Sequence, residues 1–134
     1  MAVIVGLDGS PSSIAALRRG REEAVRRGVG LLVVHVVQEA GEDVRREGER
    51  LLAHFADGER TLLLTGPAGE VLSCQASGGD AIVLGTGFGG RPLEGATVAA
   101  VLHAAPCPVI VCDSGDLAGR MSWSVHFPAP GARV

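Results

Sequence analysis

Short apolar runs alternate with charged, amphipathic stretches along the whole chain. Apolar runs in which polar residues do not alternate with apolar ones are typical of strands that are buried on both faces of a parallel sheet. Such runs occupy residues 2–7, 31–37, 61–65, 81–84 and 109–112. The stretches between them predict helices over residues 11–27, 42–56, 67–77 and 93–104. This alternation predicts an α/β fold: an open five-stranded parallel sheet, strand order 3-2-1-4-5, with helices on both faces.

The first predicted helix has a clear start and a clear end. Ser10 is a natural N-cap, Pro11 suits the first helical position, and Gly28 with Gly30 ends the helix. We expect its inner side to carry Ile14, Leu17, Ala24 and Val25. Glu22, Glu23 and the arginines of this helix are interpreted as a solvated face.

The end of the chain follows a different pattern. Residues 121–127, MSWSVHF, alternate apolar and polar side chains, which is typical of a half-buried strand. We therefore predict an extra antiparallel strand on a sheet edge, either of its own chain or of a partner, with a disordered terminus as the alternative. The predicted division is an α/β domain over residues 1–113 and a C-terminal extension over residues 114–134.

Composition and charge exclude several classes of protein. All twelve basic residues are arginine, so lysine-based Schiff-base chemistry and a Walker A lysine are absent. A net charge of −3 gives no basic surface for nucleic acid. With no charged leader and no apolar run of about 18 residues, we expect a cytoplasmic protein without a membrane span. Cys74, Cys107 and Cys112 have no metal-like spacing and are expected to be buried, reduced thiols.

The predicted topology brings two loops together. Ligands of open α/β sheets bind beyond the carboxyl ends of the strands, where the strand order reverses. That point lies between strands one and four, so Asp8-Gly9-Ser10 should face Gly85-Thr86-Gly87. A carboxylate at Asp8 suits ribose hydroxyls or a metal, and a glycine loop before a helix suits phosphates. Asp8 could instead only cap the first helix.

Five segments together resemble the universal stress protein family. They are VGLDGSPSS (5–13), LLVVHVV (31–37), GPAGEVL (66–72), DAIVLGT (80–86) and HAAPCPVIVC (103–112), in the family's order. The resemblance implies a Rossmann-like sheet, a role in the stress response, and a homodimer joined through strand five, to which the C-terminal strand could contribute. In the ATP-binding branch it also implies a G-x2-G-x9-G-[ST] loop, with Asp8 contacting ribose and backbone at Val36 contacting adenine.

The residues expected to hold a nucleotide follow from this resemblance. The expected ligand is ATP or AMP, with or without Mg²⁺. The site residues are Gly6, Asp8, Gly9, Ser10, Val36, Gly85, Thr86, Gly87, Gly90, Gly95, Ala96 and Thr97. The loop is three residues shorter than the family pattern, because Gly85 and Gly95 stand ten apart. Phe88 takes the place of the second glycine, and Ala96 lacks the hydroxyl expected after the third. We therefore expect a weakened affinity.

Two other functions remain open. A relative that has lost nucleotide binding could act through dimerisation and protein contacts alone. Gly85 to Gly90 also satisfies G-x-G-x-x-G, and Asp113 follows 23 residues after Gly90, which imitates the fingerprint of an NAD-dependent enzyme. That fingerprint normally follows the first strand of a fold, not the fourth.

Catalysis has little support in the sequence. No catalytic residue or metal-ligand set is assigned, and slow ATP hydrolysis is the most that we expect. His54, His103 and His126 are scattered without metal-ligand spacing. His35, which interrupts the second apolar run, is interpreted as a hydrogen-bonded core residue.

Overall fold

Strands and helices alternate along the chain in a computed structural model that describes residues 1–87, 96–115 and 123–128. The elements are β1 (Ala2–Gly6), α1 (Pro11–Arg27), β2 (Gly30–Val37), α2 (Glu42–Phe55), β3 (Arg60–Thr65), α3 (Ala68–Cys74), β4 (Ala81–Gly85), α4 (Ala96–Ala104), β5 (Val109–Cys112) and β6 (Trp123–His126). The predicted α/β order is confirmed. The expected start of the fourth helix near Leu93 lies outside the described residues.

The strands form one six-stranded sheet in the order β3-β2-β1-β4-β5-β6. β1 to β5 are parallel to one another, which confirms the predicted 3-2-1-4-5 arrangement. β6 runs antiparallel to β5, with Trp123 opposite Cys112 and His126 opposite Val109. The extra C-terminal strand is therefore confirmed, and it lies on the edge of its own chain's sheet. Met121 and Ser122, its first two predicted residues, lie outside the described residues.

Helices cover both faces of the sheet, which explains why the strands lack polar alternation. Successive side chains of a strand point to opposite faces. Val3 and Val5 of β1 pack in one core with α1 and α2, whereas Ile4 packs in a second core with α3 and α4. The central strands β1 and β4 are therefore apolar at nearly every position.

The ends of α1 have the predicted capping groups. Ser10 Oγ accepts a hydrogen bond of 3.2 Å from the backbone N–H of Ser13. Pro11 occupies the first turn, and Gly28 follows the helix with φ +65°, a conformation that glycine adopts at little cost.

The inner face of α1 differs in part from the prediction. Val25, predicted to face inward, is 84% exposed. The buried stripe runs through Leu17, Gly20 and Ala24, and Val25 lies about 100° around the helix from Ala24. Gly20 sets this orientation, because a Cβ atom there would lie 2.3 Å from Val5 Cγ2. The inward position of Val25 was therefore wrong.

Glu23 is also placed differently from the prediction. It was expected on the solvated face, but it is 7% exposed. Its carboxylate accepts hydrogen bonds from Arg26 at 2.6 Å and from Arg27 at 3.0 Å. Burial by itself raises the pKa of Glu23, but these two arginines outweigh it and hold that pKa below its ordinary value. The last turn of α1 thus carries a partly buried ion cluster.

The first residue of β6 packs on the core, in addition to the pairing of this strand with β5. Trp123 packs against the core that contains α1 and α2. The guanidinium carbon of Arg19, on α1, lies 4.8 Å from the centre of the Trp123 ring, within the range of a cation–π contact. On the other face of the strand, Ser124 Oγ lies 2.9 Å from His126 Nε2. Phe127 follows the strand and is 75% exposed.

The three cysteines lie in two environments. Cys107 and Cys112 are buried as predicted, but Cys74, at the end of α3, is exposed, so that part of the prediction was wrong. Burial, with a contribution from the charge of Asp80, raises the pKa of Cys107 to about 11. This thiol is therefore protonated at neutral pH and a poor nucleophile.

Within the described residues, no helix combines the length and apolar character that are needed to cross a membrane.

Candidate functional site

A cavity of about 170 Å³ lies where β1 and β4 end, at the point where the strand order reverses. Eight of the predicted site residues line it: Gly6, Asp8, Val36, Gly85, Thr86, Gly87, Ala96 and Thr97. The structure therefore brings together the two loops that the topology predicted to face each other.

Of the other four predicted site residues, the two that the structure describes do not line this cavity. Ser10 is buried and caps α1. Gly9 has φ +85°, and a Cβ atom there would lie 3.0 Å from Leu51 Cδ1 of α2. Both residues shape the turn that leads from β1 into α1. Gly90 and Gly95 lie outside the described residues.

One wall of the cavity is apolar, and the sequence analysis did not predict it. Residues that line the cavity without having been predicted as site residues are Leu7, Ser13, Val34, Ala68, Leu72, Leu84 and Val98. Val34, Leu72, Leu84 and Val98 belong to the core on the α3 and α4 side of the sheet. The period of two along β2 could have found Val34, because it shares a face with Val36.

Asp8 is an exposed residue with two separate environments at its carboxylate. Oδ1 accepts a hydrogen bond of 2.8 Å from the backbone N–H of Ser10. Oδ2 lies 3.9 Å from the position that a Cβ atom on Gly87 would take, so it faces the glycine loop. One oxygen therefore supports the turn into α1, as the capping alternative proposed, and the other lies towards the loop across the cavity.

The start of the glycine loop packs directly on the first turn of α1. A Cβ atom on Gly85 would lie 2.4 Å from the carbonyl carbon of Ser12 and 2.5 Å from the backbone nitrogen of Ser13. Ser12 Oγ donates a hydrogen bond of 3.1 Å to the carbonyl oxygen of Gly87. Gly87 has φ +76°, in the left-handed region that favours glycine. These contacts fix the two sides of the cavity to each other.

The end of the cavity nearest α4 carries a buried hydroxyl. Ala96 and Thr97, the first described residues of α4, line this end of the cavity. Thr86 also lines the cavity and is 4% exposed, and its Oγ1 has no hydrogen-bond partner among the residues that the structure describes. A buried hydroxyl without a protein partner is costly, so this end of the cavity suits an oxygen-rich ligand group that can pair with it.

His35 supports the site from outside the cavity. Its Nδ1 lies 2.6 Å from the carbonyl oxygen of Leu7, which connects β2 to the residue before Asp8. The hydrogen bond predicted for His35 is confirmed, but the residue is half-buried and not part of the buried core. In the described ranges, no cluster of three or more His, Cys, Asp or Glu side chains could hold a metal ion.

Comparison with known proteins gives consistent results. The model of the "Universal stress protein family" matches residues 1–113. The universal stress proteins Rv2005c of Mycobacterium tuberculosis and Mb2028c of Mycobacterium bovis are each 38% identical to this chain, over 81% of its length. The match covers 44% of each relative, so the chain spans about half the length of these curated relatives.

Solved structures show the same fold. A universal stress protein of Archaeoglobus fulgidus, solved in complex with dAMP, aligns with a TM-score of 0.65 and 24% identity over 83% of this chain and 96% of its own. A universal stress protein in complex with cAMP aligns with a TM-score of 0.57 and 19% identity over 85% of this chain and 97% of its own. At these identities the likeness concerns the fold. Because the family model covers most of the sequence, the chain belongs to the universal stress protein family.

Proposed function

We propose that this protein is a stress-response regulator that binds an adenine nucleotide in the cavity between the ends of β1 and β4. The observation that carries the proposal is the composition of that cavity. It combines an apolar wall, a carboxylate at Asp8, and a buried hydroxyl at Thr86 without a described partner. The A. fulgidus protein in complex with dAMP and the relative in complex with cAMP support an AMP-type ligand.

The proposed roles follow the chemistry of each wall. The apolar wall, with Val34, Leu72 and Leu84, would take the base, next to the backbone of Val36. Asp8 would accept hydrogen bonds from the ribose hydroxyls through Oδ2. Thr86 and Thr97, at the end of the cavity nearest α4, would hold the phosphate.

The glycine-rich segment favours a monophosphate over ATP. It is three residues shorter than the pattern of ATP-binding relatives, and Ala96 supplies no hydroxyl, so the sequence offers fewer groups to a triphosphate. ATP, Mg²⁺ and a cytoplasmic location remain predictions from the sequence.

Calorimetric titration with AMP tests this proposal, with the Asp8→Ala variant as the probe of the ribose contact. We expect AMP to bind the parent, and Asp8→Ala to bind it about 10- to 100-fold more weakly. The reason is that a hydrogen bond to a charged group contributes about 1.5–3 kcal/mol. Asp43→Ala is the matched control, because the Asp43 side chain is 94% exposed on α2, away from the cavity.

Three results would change the conclusion. If millimolar AMP and ATP gave no heat, the alternative of a family member without a nucleotide would replace this proposal. Tight binding of NAD would favour the dinucleotide enzyme. Equal AMP affinity of Asp8→Ala and the parent would remove Asp8 from the ribose site.

We also propose that the protein forms a homodimer along the free edge of β6. The outer edge of β5, where the family resemblance placed the dimer, is already paired with β6 of the same chain. The other edge of β6 has no partner strand among the described residues. Val125 is 38% and Phe127 75% exposed beside that edge, so apolar surface adjoins unpaired backbone.

The mass of the protein in solution tests the dimer. We expect about twice the 13.7 kDa of one chain by light scattering, and a single-chain mass for Phe127→Asp, because a charge beside the edge opposes strand pairing. Val44→Asp, at an apolar position of α2 that is also 38% exposed, should leave the mass unchanged. A single-chain mass for the parent would contradict the proposal.

A further inference from the structure

We propose that Ser12 is a positioning residue for the phosphate-binding end of the cavity, an inference that rests on the proposed nucleotide site. Ser12 lies in the first turn of α1 and is 2% exposed. It does not line the cavity, so it acts on a ligand only through another group. That group is the carbonyl of Gly87, which accepts a hydrogen bond of 3.1 Å from Ser12 Oγ.

The partner of Ser12 distinguishes it from the two serines beside it. Ser13 Oγ donates to the carbonyl oxygen of Ser10 at 2.9 Å, and the Ser13 N–H donates to Ser10 Oγ at 3.2 Å. These bonds stay within the turn and cap the helix. Ser12 Oγ also lies 3.3 Å from Ser10 Oγ within the turn, but its bond to Gly87 reaches a residue 75 positions away in the sequence, at the start of the glycine loop.

The direction of the Gly87 carbonyl matters because the neighbouring ligand group is an anion. A carbonyl oxygen carries partial negative charge, so one that points into a phosphate site opposes binding. The bond from Ser12 draws the Gly87 oxygen towards a buried residue outside the cavity. Gly87 itself lines the cavity and lies close to Asp8 Oδ2, so the orientation of its peptide groups acts directly on the site.

The conformational freedom of Gly87 explains why its carbonyl needs this hydrogen bond. Gly87 has φ +76°, and glycine has several other backbone conformations of similar energy. A partner is therefore needed to select one direction for its carbonyl. Gly85 fixes how closely the loop approaches α1, through its contact with the Ser12 and Ser13 backbone, and the Ser12 hydroxyl selects the orientation of the loop at that distance.

The test compares AMP with adenosine, because only AMP carries the phosphate. Calorimetry of Ser12→Ala should show AMP affinity reduced about tenfold, the effect of losing roughly 1.4 kcal/mol, while adenosine affinity changes by less than about twofold. Ser12→Cys keeps a weak donor at the same position, so its loss of AMP affinity should be intermediate. Thermal unfolding of each variant verifies that it is folded.

Ser73→Ala is the matched control. Ser73 is also a buried serine, 5% exposed, and its Oγ donates to a backbone carbonyl, that of Gly69, at 2.8 Å. Ser73→Ala removes a similar buried hydrogen bond but leaves the contacts of the glycine loop intact. The ratio of AMP affinity to adenosine affinity should therefore stay at the parent value.

Each alternative outcome overturns the inference in a recognisable way. If Ser12→Ala lost AMP and adenosine affinity equally, Ser12 would shape the whole cavity and not its phosphate end. If both affinities were unchanged, the orientation of the Gly87 carbonyl would be irrelevant. If the parent bound neither ligand, the proposed function itself would fail, and this role of Ser12 with it.

Discussion

Gly85→Ala is expected to destabilise the fold by about 3 kcal/mol and to abolish nucleotide binding. The new Cβ atom would lie 2.4 Å from the Ser12 carbonyl carbon and 2.5 Å from the Ser13 nitrogen. Both are backbone atoms in the first turn of a helix, so they cannot rotate away, and overpacking of this kind costs about 1–3 kcal/mol or more. To accommodate the new atom, β4 must move away from α1. The two sides of the cavity, which these elements carry, then move apart.

Urea unfolding and AMP calorimetry measure the two effects of Gly85→Ala. Gly30→Ala is the control, because Gly30 begins β2 with no atom within 4 Å of the added Cβ position. We expect its stability to change by less than about 1 kcal/mol, since alanine also reduces the entropy of the unfolded chain. If Gly85→Ala behaved like Gly30→Ala, the close packing of the glycine loop on α1 would be refuted.

Trp123→Ala should produce the second large effect, a loss of about 2–3 kcal/mol together with release of β6 from the sheet. Removing a fully buried tryptophan or phenylalanine costs about 3–5 kcal/mol, and the partial exposure of Trp123 reduces that figure. The variant loses the packing of the ring on the α1 side of the core and its contact with Arg19. The outer edge of β5 would then be open to pairing with another chain.

Circular dichroism during urea unfolding gives the stability of Trp123→Ala, and light scattering gives its association state. Val25→Ala is the control, because this apolar residue on α1 is 84% exposed, and surface substitutions usually change stability by less than about 0.5 kcal/mol. Equal stabilities of the two variants would mean that Trp123 does not anchor β6.

The fold was predictable because its signals are local and agree with one another. Apolar runs, a serine cap at Ser10 and a glycine stop at Gly28 define the elements, and the handedness of crossovers restricts their order. Which side of α1 faces the core was less predictable. Val25 and Glu23 exchange their expected environments because Gly20, which carries no hydrophobic signal, sets the contact between this helix and Val5.

The candidate site was predictable only where the topology determines it. Asp8 and Gly85 had to lie close together, because Asp8 follows β1 and Gly85 ends β4, and these strands are neighbours in a parallel sheet. Val34 and Leu84 were missed because a residue that lines a cavity and a residue of the core look alike in sequence. The bond between Ser12 and Gly87 depends on packing between distant segments, and no local pattern encodes it.

The position of Trp123 determines what the protein's intrinsic fluorescence can report. It is the single tryptophan of the chain, and no tyrosine is present, so the emission comes from one indole. That indole packs on the α1 and α2 face of the sheet, whereas the apolar wall of the cavity belongs to the α3 and α4 face. Its emission should therefore follow the docking of the edge strand, and an unchanged spectrum on adding nucleotide would carry no information about binding.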